Sequence, residues 1–146
     1  MIAGGALLIS TAAIGQTQLP RPLPKKVTAS TTPKRDRKAP FRYTTKGTIT
    51  PADQQCPANA TSTYDCVPIR RADACTGKVS VRFKRGSKTI STRRVNVNSQ
   101  CRYTSRVTFQ RARFPKLPVK LKVSVRFLGN NVLLPRSAPT RFVRAG

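Results

Sequence analysis

The sequence predicts an all-β domain over residues 41–146, an antiparallel β-sandwich of about seven short strands that is stapled by disulfides. Three observations predict this class. Apolar and polar residues alternate along several segments, which is the pattern of strands that bury one face. Turn-forming residues separate these segments at intervals of roughly 8–12 residues, as in sandwiches and barrels. Four cysteines form an even set, which is typical of domains cross-linked outside the cytoplasm.

The N-terminal segment has the character of an export signal. Residues 1–15 are uncharged and mostly apolar, and they are too few to span a membrane, which needs about 20 residues. Ala13 and Gly15 place small residues at the −3 and −1 positions of a cleavage site. No basic residue follows Met1, so a frayed apolar terminus or a buried strand is the alternative interpretation. We predict a signal-peptide-like segment and no transmembrane span.

Residues 16–40 change abruptly to proline and basic residues. Five prolines and a central Ser-Thr-Thr run interrupt any apolar periodicity, which predicts a disordered linker with polyproline II bias. A basic cluster lies within this linker, at Lys34, Arg35, Arg37 and Lys38. Such a cluster is able to contact an anionic surface, although runs of this kind more often act as solvated spacers.

The strands of the domain are predicted in chain order from the alternation. Their predicted ranges are 41–50, 78–84, 89–97, 102–109, 119–127, 132–134 and 140–144. The clearest is 119–127, in which five apolar residues alternate with polar ones, so the two sets point to opposite faces. The inward residues predicted for the core are Val79, Val81, Phe83, Val107, Phe109, Leu121, Val123, Val125 and Phe127. Ser105 is the one polar residue predicted to point inward, and no segment has helical spacing.

Turn residues divide these strands. Residues 85–87 predict a hairpin turn, and the Gly-Asn-Asn run at 129–131 predicts a second turn with residues suited to positive φ. Two prolines make 114–118 a loop, because proline is excluded from central strands. The strand at 89–97 is irregular, since its apolar residues fall on opposite parity, and we predict a β-bulge near residues 93–94.

The outward positions of the same strands are mainly basic. The candidate polyanion contacts on them are Arg82, Lys84, Arg102, Arg106, Lys120, Lys122 and Arg126, to which the cluster in the linker is added. Lysine and arginine at such positions would contact phosphate or other anionic groups. Tyr43, Tyr64 and Tyr103 are the candidate stacking residues, although Tyr103 falls on the inward parity.

The cysteines allow three pairings. Cys56 and Cys66 bracket a short, turn-prone segment, so we predict that they close a local loop. Cys75 and Cys101 each precede a strand, and neighbouring strands would bring them within bridging distance. A structural zinc site is the alternative, but the chain has no histidine and no Cys-x-x-Cys pair.

The charge balance limits the chemistry of the chain. Lysine and arginine total 29 against 4 acidic residues, which gives a net charge of +25. Histidine and glutamate are absent, and the four aspartates all precede the strand-rich half. General acid–base and nucleophilic catalysis usually need such groups, as do hydrolytic zinc sites. We therefore predict that the chain is not an enzyme and uses no cofactor or metal.

Two sets of residues carry a resemblance to a known family. One is the segment 75–81 together with Cys101-Arg102-Tyr103; the other joins the strand at 121–127 to Gly129-Asn130, Leu133 and residues 137–139. Over about residues 72–145 these resemble bacterial immunoglobulin-like repeats of secreted and envelope proteins of actinobacteria. The resemblance implies an immunoglobulin-like antiparallel sandwich, a Cys75–Cys101 bridge and no catalytic residues. The chain departs from the family in Asn130, where an acid is common, and in its excess of cations.

These observations predict a non-catalytic module that is secreted or associated with the cell envelope, as a structural spacer or an adhesion or binding domain. Acidic envelope polymers or another envelope protein are its expected partners. The alternative is an electrostatic binder of polyanions, namely nucleic acid, acidic wall polymer or anionic lipid. Nucleic acid is less favoured, because no helix-turn-helix, RNA-recognition or zinc-finger signature is present.

Overall fold

The computed structural model describes residues 19–62 and 65–146, and within them the chain forms twelve β-strands and a short α-helix. The strands are β1 (Lys26–Val27), β2 (Ser30–Thr32), β3 (Arg35–Asp36), β4 (Phe41–Thr50), β5 (Gln54–Gln55), β6 (Val67–Pro68), β7 (Lys78–Arg85), β8 (Lys88–Asn96), β9 (Arg102–Phe109), β10 (Val119–Phe127), β11 (Arg136–Ser137) and β12 (Arg141–Ala145). The helix α1 is a single turn at Arg71–Ala74, and a 3-10 turn follows β9 at Arg111–Arg113. Neither was predicted, because one turn is too short to show helical periodicity. The predicted signal-like segment and Tyr64 lie outside the described residues.

Two larger sheets form the body of the domain. In the first sheet, β1 and β2 pair in succession with β4, and β9 pairs with β4 over eight residues. The second sheet has the order β3-β12-β10-β7-β8, with β11 paired to β10. All pairings are antiparallel except the short one between β3 and β12. A third, two-stranded sheet joins β5 to β6. The domain is therefore all-β, as predicted.

The two larger sheets bury their facing sides against each other. All nine residues predicted for the core are buried, and so is Ser105. The ring of Phe83, in the second sheet, lies 5.9 Å from that of Tyr43 and 5.5 Å from that of Phe109, both in the first sheet. Phe114, in the predicted loop, is also fully buried, with its ring 5.8 Å from that of Phe41. These aromatic contacts between the sheets confirm the sandwich, since such rings dominate core energetics.

The segment before β4 is not the disordered linker predicted over residues 16–40. Its part from 25 to 36 contributes β1 and β2 to the first sheet and β3 to the second. Val27, Ala29 and Thr31 are buried there, while their neighbours are mostly exposed. The prediction was wrong because strands of two or three residues between prolines are too short to show alternation. Pairing with β4 and β12 fixes this backbone instead.

The prediction of a strand at residues 132–134 is also wrong. The Asn130 carboxamide oxygen accepts the N–H groups of Val132 and Leu133, at 2.9 Å each, so the chain turns there rather than extending. Leu133 then fills the core as a fully buried side chain. The short strand in this region is β11, which lies further along the chain.

The Asn130 side chain also forms hydrogen bonds that an acid at this position could not form. Its Nδ2 group donates to the carbonyl oxygens of Ala74 at 2.9 Å and Thr76 at 3.2 Å. A carboxylate has no proton to donate to these carbonyls. The side chain therefore ties the turn after β10 to the chain entering β7, while Gly129 beside it adopts φ 82°.

The hairpin of β7 and β8 contains an irregularity that sets its register. A two-residue turn at Gly86 and Ser87 joins the strands as predicted, and Gly86 adopts φ 60°. The pairing then shifts by one residue, which leaves Ile90 as the extra residue of a β-bulge. We predicted this bulge near residues 93–94, and it lies closer to the turn.

Both predicted disulfides are present. Cys56 and Cys66, with Cα atoms 4.2 Å apart, close the loop between β5 and β6. Cys75 and Cys101, with Cα atoms 4.5 Å apart, join the chain before β7 to the chain before β9 inside the core. All four cysteines are in disulfides, so none is free to bind zinc as a thiolate. The alternative interpretation, a structural zinc site, is therefore wrong. No helix in the described residues is long and apolar enough to cross a membrane.

Two buried phenols predict how stability depends on pH. The hydroxyls of Tyr43 and Tyr103 donate to the carbonyl oxygens of Arg144 and Thr28, at 2.6 Å each. Burial, and then the Asp36 carboxylate, raise the pKa of Tyr43 to about 12, and burial raises the pKa of Tyr103. An unfolded tyrosine ionises near pH 10, so above that pH the unfolded chain loses protons that the folded chain keeps. Stability is therefore fully present below about pH 10 and falls as the pH rises toward 12 and beyond.

The expected loss from Tyr43 alone is about 3 kcal/mol, because its pKa rises from 10 to about 12 and each pKa unit corresponds to about 1.4 kcal/mol. Denaturant unfolding at a series of pH values measures it, with tyrosinate absorbance recorded on a Tyr64→Phe background so that only the two buried phenols report. The double variant Tyr43→Phe, Tyr103→Phe is the control, and its stability should fall less over this range. An equal fall in both proteins would contradict the prediction.

Candidate anion-binding face

One outer face of the second sheet carries a dense set of cations. The odd-numbered residues from 79 to 83 in β7 and from 121 to 127 in β10 are buried, so the even-numbered side chains point away from the core. Those side chains are lysines, arginines and the two serines Ser80 and Ser124. We define the basic face as the cations Arg82, Lys84, Arg94, Lys120, Lys122 and Arg126.

Ser80 lies in the middle of a row that crosses four strands. Arg126 of β10 is directly opposite it on one side, and Arg94 of β8 is directly opposite it on the other. Arg126 is in turn opposite Ser137 of β11, and its Nη1 donates to the Ser137 hydroxyl at 3.1 Å. Adjacent strands lie about 4.8 Å apart, so the two arginine side chains start one strand spacing from the serine.

A pocket of about 260 Å³ opens over this row. Its polar lining comes from Ser80, Arg82, Lys84, Arg94, Ser124, Arg126, Ser137 and Thr140. Leu128 and Ala138 supply apolar surface at the β11 side. Four strands therefore contribute cations, hydroxyls and one apolar wall to a single concavity.

The hydroxyl of Ser80 is buried without a partner. Ser80 is 5% exposed, and its Oγ forms no hydrogen bond to any of the described residues. The buried hydroxyls of Thr31 and Thr45, in contrast, bond to each other at 2.9 Å. An unsatisfied buried polar group costs about 1–3 kcal/mol, so the Ser80 hydroxyl would gain a hydrogen bond from a ligand that entered the pocket.

No acidic side chain offsets the charge of this face. All four aspartates precede residue 74, so β7 through β12 contain none. The ion pair formed within the described residues joins Lys25 to Asp53 at 2.6 Å, in segments that precede β1 and β5. Lys84 and Lys122 lie directly opposite each other, and like charges in that position are destabilising. The face therefore holds its cations at a cost in stability, which an anionic ligand would relieve.

The predicted polyanion contacts separate into three places. Arg82, Lys84, Lys120, Lys122 and Arg126 share the basic face. Arg102 and Arg106 lie on β9, in the other sheet. Lys34, Arg35, Arg37 and Lys38 lie beside β3, at the edge of the second sheet remote from β8, where the Arg35 Nε donates to the carbonyl of Gly146 at 2.8 Å. The structure brings together the first group only.

Two residues of the site were not predicted. Ser80 takes an outward position in the alternating pattern, and that pattern does not show that its hydroxyl is buried. Arg94 was assigned to the predicted bulge. With no bulge, the two-residue turn would place Arg93 opposite Ser80; the extra residue Ile90 replaces it with Arg94.

Two of the three predicted stacking residues do not reach the surface, and the third, Tyr64, lies outside the described residues. Tyr43 and Tyr103 are buried and bonded to backbone carbonyls, so neither is able to stack on a ligand. Phe142 of β12 is instead 49% exposed, and Lys120 Nζ lies 4.2 Å from its ring centroid. This cation–π pair places an aromatic surface at the margin of the basic face.

Groups for catalysis or metal binding are dispersed. Within residues 19–62 and 65–146, no cluster of three or more cysteine, aspartate or glutamate side chains is placed to hold a metal ion. Asp36 accepts hydrogen bonds from the backbone N–H groups of Lys38 at 3.3 Å and Arg42 at 2.9 Å.

No protein-family model, curated protein or solved structure is detectably similar to this chain.

Proposed function

We propose that this chain is a non-catalytic, immunoglobulin-like module that acts outside the cytoplasm and attaches to acidic polymers through the basic face. The observation that carries the proposal is that six cations share one sheet face while β7 through β12 contain no acidic residue. A secreted or envelope-associated location, and an acidic envelope polymer as the partner, are part of this proposal.

The strand order supports the immunoglobulin-like assignment. In immunoglobulin domains, strands B and E share one sheet, and strands G, F, C and C′ follow one another in the other. The present pairing of β4 with β9 and the order β12-β10-β7-β8 correspond to this arrangement. On that correspondence, the basic face lies on strands F, C and C′.

The two disulfides support a location outside the cytoplasm. Cytosolic thiols are kept reduced, whereas exported domains retain disulfides. Both bridges close within one small domain whose net charge of +25 opposes compaction. An oxidising compartment would let the domain form the cross-links that offset this repulsion.

The chemistry of the side chains supports a binding role. Histidine and glutamate are absent from the sequence, and none of the four aspartates lies on the strands β7, β8 and β10 that carry the basic face. Lysine and arginine on a flat strand face attract polymer charge without reading a sequence, and such binding weakens steeply with salt. The exposed Phe142 ring adds a surface on which a base or a sugar ring is able to pack.

Salt-dependent retention on immobilised heparin and on single-stranded DNA tests this function. We compare Lys120→Gln, Lys122→Gln, which removes two cations from the basic face, with Lys34→Gln, Lys38→Gln, which removes two lysines beside β3. The first variant should elute at lower salt than the second, and its slope of log affinity against log salt should fall by about 0.7 for each lost contact with the DNA.

If the two variants elute at equally reduced salt concentrations, overall charge rather than the basic face governs retention. Retention that persists above about 0.5 M salt and prefers DNA to heparin would favour nucleic acid as the partner, because screening removes long-range attraction there.

A further inference from the structure

We propose that the pocket over Ser80 is a subsite for one phosphate group, carried as an ester by the ligand. This rests on the proposed function, since it names the anionic group that the basic face would take. The juxtaposition that carries it is the unpartnered Ser80 hydroxyl between the directly opposed Arg94 and Arg126.

The directions of the donors favour a tetrahedral oxyanion. Arg82 on β7, Arg94 on β8 and Arg126 on β10 approach the pocket from three neighbouring strands, and the Ser80 hydroxyl lies at its floor. One arginine fork is enough to satisfy the two oxygens of a planar carboxylate. Three guanidinium groups and a hydroxyl instead suit an anion that presents acceptor oxygens in several directions, as phosphate does.

The size and lining of the pocket favour an ester over free phosphate. Its volume of about 260 Å³ is several times the roughly 30 Å³ that a water molecule occupies in the liquid, so it has room for a group attached to the phosphate. Leu128, which is 36% exposed, and Ala138 form an apolar wall beside the cations. The carbon atoms of an ester would pack on that wall while the phosphate oxygens face the arginines.

Binding of small probes to the full chain tests the subsite, measured by calorimetry at low salt. The probes are glycerol 3-phosphate, inorganic phosphate and glycerate, which carries a carboxylate instead. Glycerol 3-phosphate should bind more tightly than glycerate by about tenfold or more, which is the size of effect expected when hydrogen bonds to a charged group are lost. Equal affinity for the two would overturn the proposal. Equal affinity for both phosphate probes would support the phosphate subsite and overturn the ester.

Two double variants that remove the same number of charges distinguish binding in the pocket from attraction by the overall positive charge of the protein. Arg94→Gln, Arg126→Gln should weaken glycerol 3-phosphate binding about tenfold or more, whereas Arg42→Gln, Arg102→Gln in the first sheet should change it less than about twofold. Ser80→Ala should also weaken binding, yet its unfolding midpoint should stay the same or rise, because the buried unpaired hydroxyl is gone. Unchanged binding in Ser80→Ala, or equal losses in the two arginine pairs, would overturn the subsite.

Different experimental results would overturn the phosphate subsite and the proposed function. Retention on the polymers without any binding of the small phosphate probes would overturn the subsite and leave the proposed function standing. Binding of glycerol 3-phosphate without retention on either polymer would overturn the proposed function and support the subsite.

Discussion

Replacing Gly47 by alanine is expected to destabilise the domain by more than about 3 kcal/mol, the upper range for overpacking a closed site. Gly47 lies within β4, and an added Cβ would overlap the carbonyl oxygen of Thr28 and the hydroxyl of Tyr103, with the Cζ atom of that ring only 2.6 Å away. The Tyr103 hydroxyl is itself bonded to the Thr28 carbonyl, so neither atom is free to withdraw. Relief requires β1 to move away from β4.

Urea unfolding measures this loss, and two further variants make it specific. Gly86→Ala is the matched control, because no atom lies within 4 Å of its added Cβ and only its φ of 60° opposes the change. It should cost about 1–2 kcal/mol, the usual penalty for a left-handed residue with a Cβ. Adding Tyr103→Phe to Gly47→Ala should not restore stability, since the clash with the Thr28 carbonyl remains. Equal losses for Gly47→Ala and Gly86→Ala would contradict the prediction.

Removing the Cys75–Cys101 bridge is expected to have the second large effect. The bridge spans a sequence separation of 26, for which loop-closure entropy gives about 3.5 kcal/mol, against about 2.7 kcal/mol for the separation of 10 in Cys56–Cys66. Cys75 and Cys101 are also buried, so truncating them leaves a cavity beneath the strands. The loss for Cys75→Ala, Cys101→Ala should therefore exceed that for Cys56→Ala, Cys66→Ala by at least about 1 kcal/mol.

Denaturant unfolding of the two alanine pairs, each with the other bridge intact, measures the difference. Domains of this size are stable by about 5–15 kcal/mol, so the Cys75→Ala, Cys101→Ala protein should retain a cooperative transition at a lower midpoint. If it does not fold, near-ultraviolet circular dichroism of Cys56→Ala, Cys66→Ala should still show native packing. A larger loss from the Cys56–Cys66 pair would contradict the assignment of the core bridge as the stronger one.

Much of the fold follows from local pattern. The alternation along 78–84, 102–109 and 119–127 correctly predicted which side chains enter the core, because side chains of a strand alternate strictly between its faces. The same alternation placed lysine and arginine on the outside. It failed at 25–36 and at 132–134, where pairing with distant strands or a single Asn130 side chain decides the backbone.

The candidate site was less predictable, because it depends on register between strands. Arg126 could be assigned to an outward position from the sequence, but not to a position directly opposite Ser80. The position of Ser80 between Arg94 and Arg126 is known only when both strand pairings are known. The eleven predicted polyanion contacts were chosen for their charge and expected exposure, which are local properties. These properties do not indicate which sheet each residue belongs to.

The sequence by itself determined the class of this protein: an all-β, disulfide-bonded domain with cations on its strand faces and no histidine or glutamate for catalysis. Only the tertiary structure decided which cations lie on the same face of one sheet. The reason is physical, since one extra residue at Ile90 shifts β8 against β7 and brings Arg94 rather than Arg93 opposite Ser80. A shift of one residue moves every side chain of a strand to the opposite face of the sheet. The local pattern of charge does not indicate which of the two registers the strands adopt.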